Sequence, residues 1–219
     1  MNRLALFTLS ALTIFLSACD WAGIRGNGHI VTQQRPIGDF TEVTASGSFE
    51  IEWHPGAPGL SVTGDENLLG YIDNQLSGNT LKFDTKERIW WSHKIKVAVS
   101  SAALRGVKLT GACKLSANHL AGPKFYLQSS GASKMSLEGQ VDELLVDMSG
   151  ASKLEAAGLR TKTAEISGSG ASKVDITASE AVRVSISGAG KVTYGGNPPT
   201  VEKHISGAGS VRPRDQSSD

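Results

Sequence analysis

Five lysines recur at a nearly fixed interval: Lys114, Lys134, Lys153, Lys173 and Lys191 stand 20, 19, 20 and 18 residues apart. Cations repeated on one period suit a ligand whose anionic groups also repeat. Glu155 and Asp175 are separated by the same period, and two carboxylates held about 5 Å apart are the equipment of a retaining glycosidase. Each also stands two residues from a lysine, where relief of lysine repulsion is the simpler use. The five histidines, His29, His54, His93, His119 and His204, have no metal-ligand spacing. In the recurrent Ser-Gly-Ala-Ser-Lys phrase the lysine falls four residues after one serine and one after the next. That is not the Ser-x-x-Lys spacing of an acylating nucleophile. We therefore expect no catalytic residues, no metal and no cofactor. Adjacent Trp90 and Trp91 are the remaining candidates. In a strand they face opposite ways, so one is expected to be exposed, to stack on a sugar or touch a partner; filling the core or capping an end is the competing use.

The lysines belong to a longer repeat that must position them. Its phrase runs Thr110-Gly-Ala-Cys-Lys, Ser130-Gly-Ala-Ser-Lys, Ser149-Gly-Ala-Ser-Lys, Ser169-Gly-Ala-Ser-Lys, Ser187-Gly-Ala-Gly-Lys and Ser206-Gly-Ala-Gly-Ser. Counting from each glycine as zero, even positions are apolar or small and odd positions mostly polar, with Lys203 at −4 the exception. Alternation with period two means strands, and some 19 residues is too long for one strand, so each repeat must bend at least twice. Glycine and serine near zero, and Gly, Ala or Asn near +6 to +10, supply corners. The fold class expected is all-β, a parallel β-helix with 18–20 residues per coil stacked about 4.8 Å apart. The +4 residues would form an aliphatic ladder and the lysines, at +3, a stripe about 20 Å long on an outer wall. Cys113 takes the inward +2 place of a serine and reads as a buried structural thiol.

At the start, residues 1–18 read as a signal segment, with Arg3 before the apolar run Leu4–Leu16. Leu16-Ser17-Ala18-Cys19 resembles a bacterial lipobox, which implies acyl chains on Cys19 and a membrane partner through that lipid. Asp20 resembles the signal that retains lipoproteins in the inner membrane of enteric bacteria; the outer membrane is the alternative. Loss of Arg3 on cleavage leaves 21 basic against 21 acidic side chains, which gives no general attraction to nucleic acid.

Before the repeats, 29–34, 39–45, 48–53, 59–63, 80–85 and 94–100 read as strands, and 65–72 as a helical turn. Ser46-Gly47 with Phe49, Ile51 and Trp53 echoes the repeat, so 26–105 is read as about four degenerate early coils. They join 106–211 in one β-helix domain, after an anchor and linker at 19–25 and before a polar tail at 212–219. The motifs Gly26-x-Gly28-x-Ile-Val31, Arg35-x-Ile37-x-x-Phe40-x-x-Val43, Gly47-x-Phe-x-Ile51, Gly64-Asp-Glu-Asn-Leu-Leu69 and Leu81-x-Phe83, followed by the serial Ser-Gly-Ala phrases, resemble the head GIN domain family of putative auto-transporter adhesins. That resemblance implies a right-handed parallel β-helix on a cell-envelope protein, and it brings no catalytic residues.

The expectation is a lipid-anchored, periplasm-facing binding or adhesion module. Its ligand class would be an anionic polysaccharide or other envelope polymer, docked on the lysine column. A structural or regulatory lipoprotein acting through an envelope protein is the alternative, and a carbohydrate-active enzyme the third reading. For the lysine column itself, a solvated face that keeps the wall soluble competes with a docking strip.

Overall fold

The computed structural model describes residues 23–214; the signal segment, Cys19 and Asp20 lie outside the described residues. The chain is nearly all β, with 72% strand and 3% helix, and winds into a solenoid of about five turns. In chain order the first strands are β1 (Ile24–Arg25), β2 (Ile30–Gln34), β3 (Glu42–Gly47), β4 (Phe49–Pro55) and β5 (Gly59–Asp65). A short 3₁₀ helix (Glu66–Tyr71) leads to β6 (Ile72–Ser77), β7 (Thr80–Thr85), β8 (Ile89–Trp90) and β9 (Ile95–Ser101). The regular coils follow as β10 (Gly106–Gly111), β11 (Lys114–Gly131), β12 (Lys134–Gly150), β13 (Lys153–Gly170) and β14 (Lys173–Gly188). The last strands are β15 (Lys191–Gly195), β16 (Thr200–Ser206) and β17 (Ser210–Pro213).

All pairings from β10 onward are parallel and join equal positions of successive coils. The +4 ladder is therefore real: Ile51, Leu115, Met135, Leu154, Val174, Val192 and Val211 lie side by side, every one buried. Burying each contributes roughly 1.5–3 kcal/mol. Their odd-numbered neighbours point out, as alternation along a strand requires.

The first corner explains the Ser-Gly-Ala-Ser phrase. Every glycine from Gly47 to Gly207 in this column has positive φ, between 95° and 123°. A Cβ on Gly170 or Gly188 would come within 2.6 or 2.7 Å of the carbonyl oxygen of the glycine one coil earlier, and at Gly111, Gly131 and Gly150 the overlap is worse. That close approach lets the glycine carbonyls from Gly47 to Gly150 each accept two hydrogen bonds from the next coil. The Gly131 carbonyl accepts from Ala151 N–H at 2.8 Å and from the Ser152 hydroxyl at 3.3 Å. The Gly111 carbonyl takes Ala132 N–H at 2.8 Å and Ser133 Oγ at 3.3 Å, and the Gly150 carbonyl takes Ala171 N–H at 2.9 Å. Ser133, Ser152 and Ser172 are buried, so these bonds are what makes a hydroxyl tolerable there. Cys113 fills the same place, its thiol 3.6 Å from the Gly47 carbonyl.

The second corner lies at +8, where the ladder register shifts. His119, Gly139 and Gly196 all have positive φ there, and a Cβ on Gly139 would overlap the Leu120 carbonyl.

The segment before the repeats makes two coil passes rather than four. One is β3–β4, in register with β10 and with the start of β11; Gly47 pairs with Gly111, as the Ser46-Gly47 echo implied. The other is β7–β9, on the opposite side of β3–β4. The rest turns antiparallel: β5 lies against β9, β2 against β5, and β6 against β7 as a hairpin. These strands close one end over a wide core of Trp53, Phe40, Phe49 and Phe83, with the Trp53 indole donating to Ser101 Oγ at 3.0 Å. The chain thus lays down the second coil first, then the capped end, and returns at β10 to the far side of β3.

The other end is open. Among the described residues β16 has only β14 beside it, and β17 only β15. There Lys203 takes the inward −4 place above Val184. Its ammonium donates to the Val211 carbonyl at 3.2 Å and lies 5.6 Å from the Tyr194 ring centre. An inward charge at the last layer discourages further strand addition.

Replacing Gly150 by Ala should destabilise the domain by about 2–4 kcal/mol, from positive φ and overlap with the Gly131 carbonyl. Gly168→Ala, where a Cβ meets nothing within 4 Å, should be neutral or stabilising by up to about 1 kcal/mol. Urea unfolding of the two variants checks this; equal midpoints would remove the glycine column as a constraint.

Candidate functional site

The corner that packs glycine on glycine also fixes where the lysines emerge. Three residues beyond each glycine the strand has resumed its alternation, so Lys114, Lys134, Lys153, Lys173 and Lys191 point out from the wall. All five are register partners in one column. Successive ammonium groups thus spring from backbones about 4.8 Å apart. A shallow groove of about 220 Å³ runs over Lys114, Lys134 and Lys153 and is floored by Leu115 and Met135.

The neighbouring +5 column carries the acids. Glu155 and Asp175 are direct register partners, as their spacing predicted. Both are engaged. Glu155 forms an ion pair with Lys153, and that hydrogen bond, with the charges of Lys153, Lys173 and Lys134, holds its carboxyl below the usual range. Asp175 Oδ1 accepts from both Nε and a terminal nitrogen of Arg214, at 3.2 and 2.5 Å. A glycosidase acid needs a raised pKa and a proton to give; Glu155 has the opposite bias on an open wall. Among the described residues no group of three His, Cys, Asp or Glu side chains is placed to hold a metal.

Further members of the columns were not found from the sequence, among them Lys96, the register partner of Glu50, and the following two. Glu50, at +3 from Gly47, stands below Lys114 and bonds to Lys94 at 3.6 Å. Arg212, at +5 from Gly207, stands above Thr193. Counting outward from the first and last glycines would have located both.

Trp90 and Trp91 behave as a strand dictates. Trp90 is 43% exposed on β8, which pairs with β1, while Trp91 packs against the core. Trp90 lies in a separate two-stranded sheet with Trp91 just past its end, and neither lines the lysine groove. Cys113 is buried, and desolvation pushes its thiol pKa up, so it is not a poised nucleophile. Next to it in sequence, Lys114 is exposed.

Residues 39–198 match the family described as "Putative auto-transporter adhesin, head GIN domain". The chain belongs to this family. Membership puts it among envelope-associated, adhesin-like proteins. Solved structures share the architecture. A putative adhesin from Bacteroides fragilis NCTC 9343 aligns with TM-score 0.72 and 20% identity, covering 88% of this chain and all of that one. A putative lipid binding protein and a putative adhesin, both from Parabacteroides distasonis ATCC 8503, align with TM-score 0.50. Their identities are 23% and 18%, over 89% and 88% of this chain and all of each of theirs. At such identities the likeness is one of fold. No curated protein matches the sequence. Among the described residues no helix is long and apolar enough to cross a membrane.

The head GIN motifs that precede the repeats have structural duties at the capped end. Asp65 is buried, and burial alone would raise its pKa. Hydrogen bonds from the Ser92 hydroxyl (2.5 Å), Ser92 N–H (2.9 Å), Gly28 N–H (2.8 Å) and the His93 backbone outweigh that and lower it. Gly26 is small because a Cβ would overlap the Asp65 carboxylate, and Gly28 has φ +78°. Arg35 donates to the carbonyls of Leu69 (2.7 Å) and Ile72 (2.9 Å) and to Asn74 Oδ1 (2.5 Å), tying the 3₁₀ helix to β6.

A carboxyl whose folded pKa is depressed contributes stability that is complete above its unfolded value of about 3.9 and is lost as pH falls through the folded value. Asp65→Asn should therefore cost roughly 1–3 kcal/mol at neutral pH. It should also flatten the acid limb of a stability–pH curve below pH ~4. A variant whose acid limb overlays the wild type would remove Asp65 from this role.

Proposed function

We propose that this head GIN domain is a non-catalytic binding module of the cell envelope, docking anionic polymers along the lysine column. The observation that carries the reading is the arrangement of charge on one wall. Five lysines stand in a single register, and the two acids beside them are already taken by Lys153 and Arg214. Among the described residues Lys114, Lys134, Lys173 and Lys191 have no ion-pair partner. Like charges this close in water repel by under about 1 kcal/mol per pair, a penalty that an approaching polyanion relieves. A coil advances by about 4.8 Å, comparable to one sugar ring, so successive coils can meet successive charged units of an acidic glycan. Lipid phosphates offer the same chemistry, and one structural relative is named a lipid binding protein.

The anchor follows from Leu16-Ser-Ala-Cys19: acyl chains on Cys19 would hold the domain to a membrane, facing the periplasm, with Asp20 favouring the inner one. The second reading, a partner protein of the envelope, is favoured by Trp90, an exposed aromatic that does not line the lysine groove.

Changing Lys134, Lys153 and Lys173 together to Gln should leave unfolding within about 0.5 kcal/mol per site, as is usual for exposed positions. Affinity for an acidic polysaccharide should fall at least about tenfold at low salt, and the slope of log affinity against log salt should drop by about 2–3, by the counterion argument that holds for nucleic acids. Binding by the wild type that is absent at every salt concentration, or unchanged in the variant, returns the column to a solubility role.

Cys19→Ser should release the protein from membranes or leave the precursor uncleaved. Mass spectrometry of the wild-type mature N-terminus is the check, and an unmodified residue there removes the anchor.

A further inference from the structure

The cationic wall does not stop at Lys191. One coil on, Ser210 stands beside Lys191 and Arg212 beside Thr193, so four outward residues form a square patch on β15 and β17. Lys191, Thr193, Arg212, Pro213 and Arg214 line a recess of about 480 Å³, roughly twice the groove over the earlier lysines. We propose that this recess seats a single tetrahedral oxyanion, a phosphate or sulfate ester on the terminal sugar of a glycan lying along the column. The proposal rests on the polyanion reading above and adds to it an end-group site.

Three observations carry it. The acid on the neighbouring strand is already neutralised: Asp175 Oδ1 accepts twice from Arg214, which also donates to Thr177 Oγ1 at 3.3 Å and to the Ile176 carbonyl at 2.9 Å. Among the described residues Lys191 and Arg212 have no ion-pair partner, and both line the recess.

The donors are also of three kinds: a planar guanidinium fork, a rotatable ammonium and a hydroxyl, carried on two strands. An oxyanion with acceptors on all sides can engage all three, whereas a planar carboxylate is met best by the fork alone.

Finally, the recess lies at one end of the column: toward the capped end the column continues through Glu50, which is paired with Lys94, to Lys96. Among the described residues β17 is the last strand of this wall, so the recess lies on its last described layer.

The test uses the full-length protein in detergent micelles, followed by ¹⁵N NMR through the Thr193 amide and the Arg212 Nε resonances. The probes are glucose 6-phosphate, glucose 6-sulfate, glucuronate and inorganic phosphate. Both esters should shift these two resonances with saturating, millimolar-range affinity, and glucuronate should bind at least about fivefold more weakly. Arg212→Gln should weaken ester binding at least about tenfold. Arg212→Lys, which keeps charge but loses the fork, should fall between. Lys108→Gln, an outward lysine on another wall, should bind as wild type. Glucuronate as tight as the esters, or ester binding unchanged in Arg212→Gln, overturns the proposal; inorganic phosphate as tight as the sugar esters overturns its glycan part. Because the probes carry one charged group, failure of the lysine triple variant to lose polymer binding would leave these shifts intact, so the two readings stand or fall separately.

Discussion

Everything in this solenoid depends on how closely two glycine backbones can approach at the first corner. Where they touch, one carbonyl receives both a main-chain N–H and a buried hydroxyl from the next coil. Any Cβ would hold those groups apart. The corner therefore sets the coil's width, its register and the direction of everything within a few residues of it. The aliphatic ladder one residue beyond the lysines, and the lysines themselves, are aligned because the glycines are. Hydrophobic burial supplies most of the stabilisation and opposes a one-residue slip, but a slip of two preserves its alternation; the glycine contact forbids both.

The same register explains why the charged wall is ordered while being so exposed. A surface lysine is normally a floppy, weakly determined group whose single ion pairs contribute little. Here the side chains remain free, but their roots are fixed on adjacent strands. The acids alongside are bound internally, Glu155 by Lys153 and Asp175 by Arg214, so the wall's surplus of positive charge is a property of the fold. Near-zero net charge for the whole chain conceals this local asymmetry.

The regular coils were legible because a period-two pattern and a glycine at constant spacing report the same constraint twice. Gly47 could be read the same way, since Ser46-Gly47 keeps the phrase and Phe49, Ile51 and Trp53 keep the alternation. The capped end resisted for physical reasons. β6 reads Ile-Asp-Asn-Gln-Leu-Ser and is mostly exposed, so it forms through main-chain pairing with β7 rather than through an apolar face, and no alternation betrays it. Nor does local sequence say that β10 returns to β3 instead of stacking on β9; that choice is made by which flank of the second coil the antiparallel cap leaves open. Of the site, the five lysines and the acid pair were visible by counting, whereas Arg214 was not. Its role comes from reaching across Gly195 to a strand two coils back, and at Gly195 any Cβ would come within 2.6 Å of the guanidinium.

That reach has a mechanical side. In a stack of coils, tension along the axis is carried in series by the junctions, and the terminal junction is the weakest because its strands have a neighbour on one side only. A ligand held at the open end would pull on β17 first. Arg214, just past the end of β17, crosses over β15 to Asp175 on β14, so it acts as a strap that shares the load between the last two junctions. Peeling the final strand then requires breaking a charged clasp together with its backbone ladder, and the junction most easily opened is the one that has been tied down.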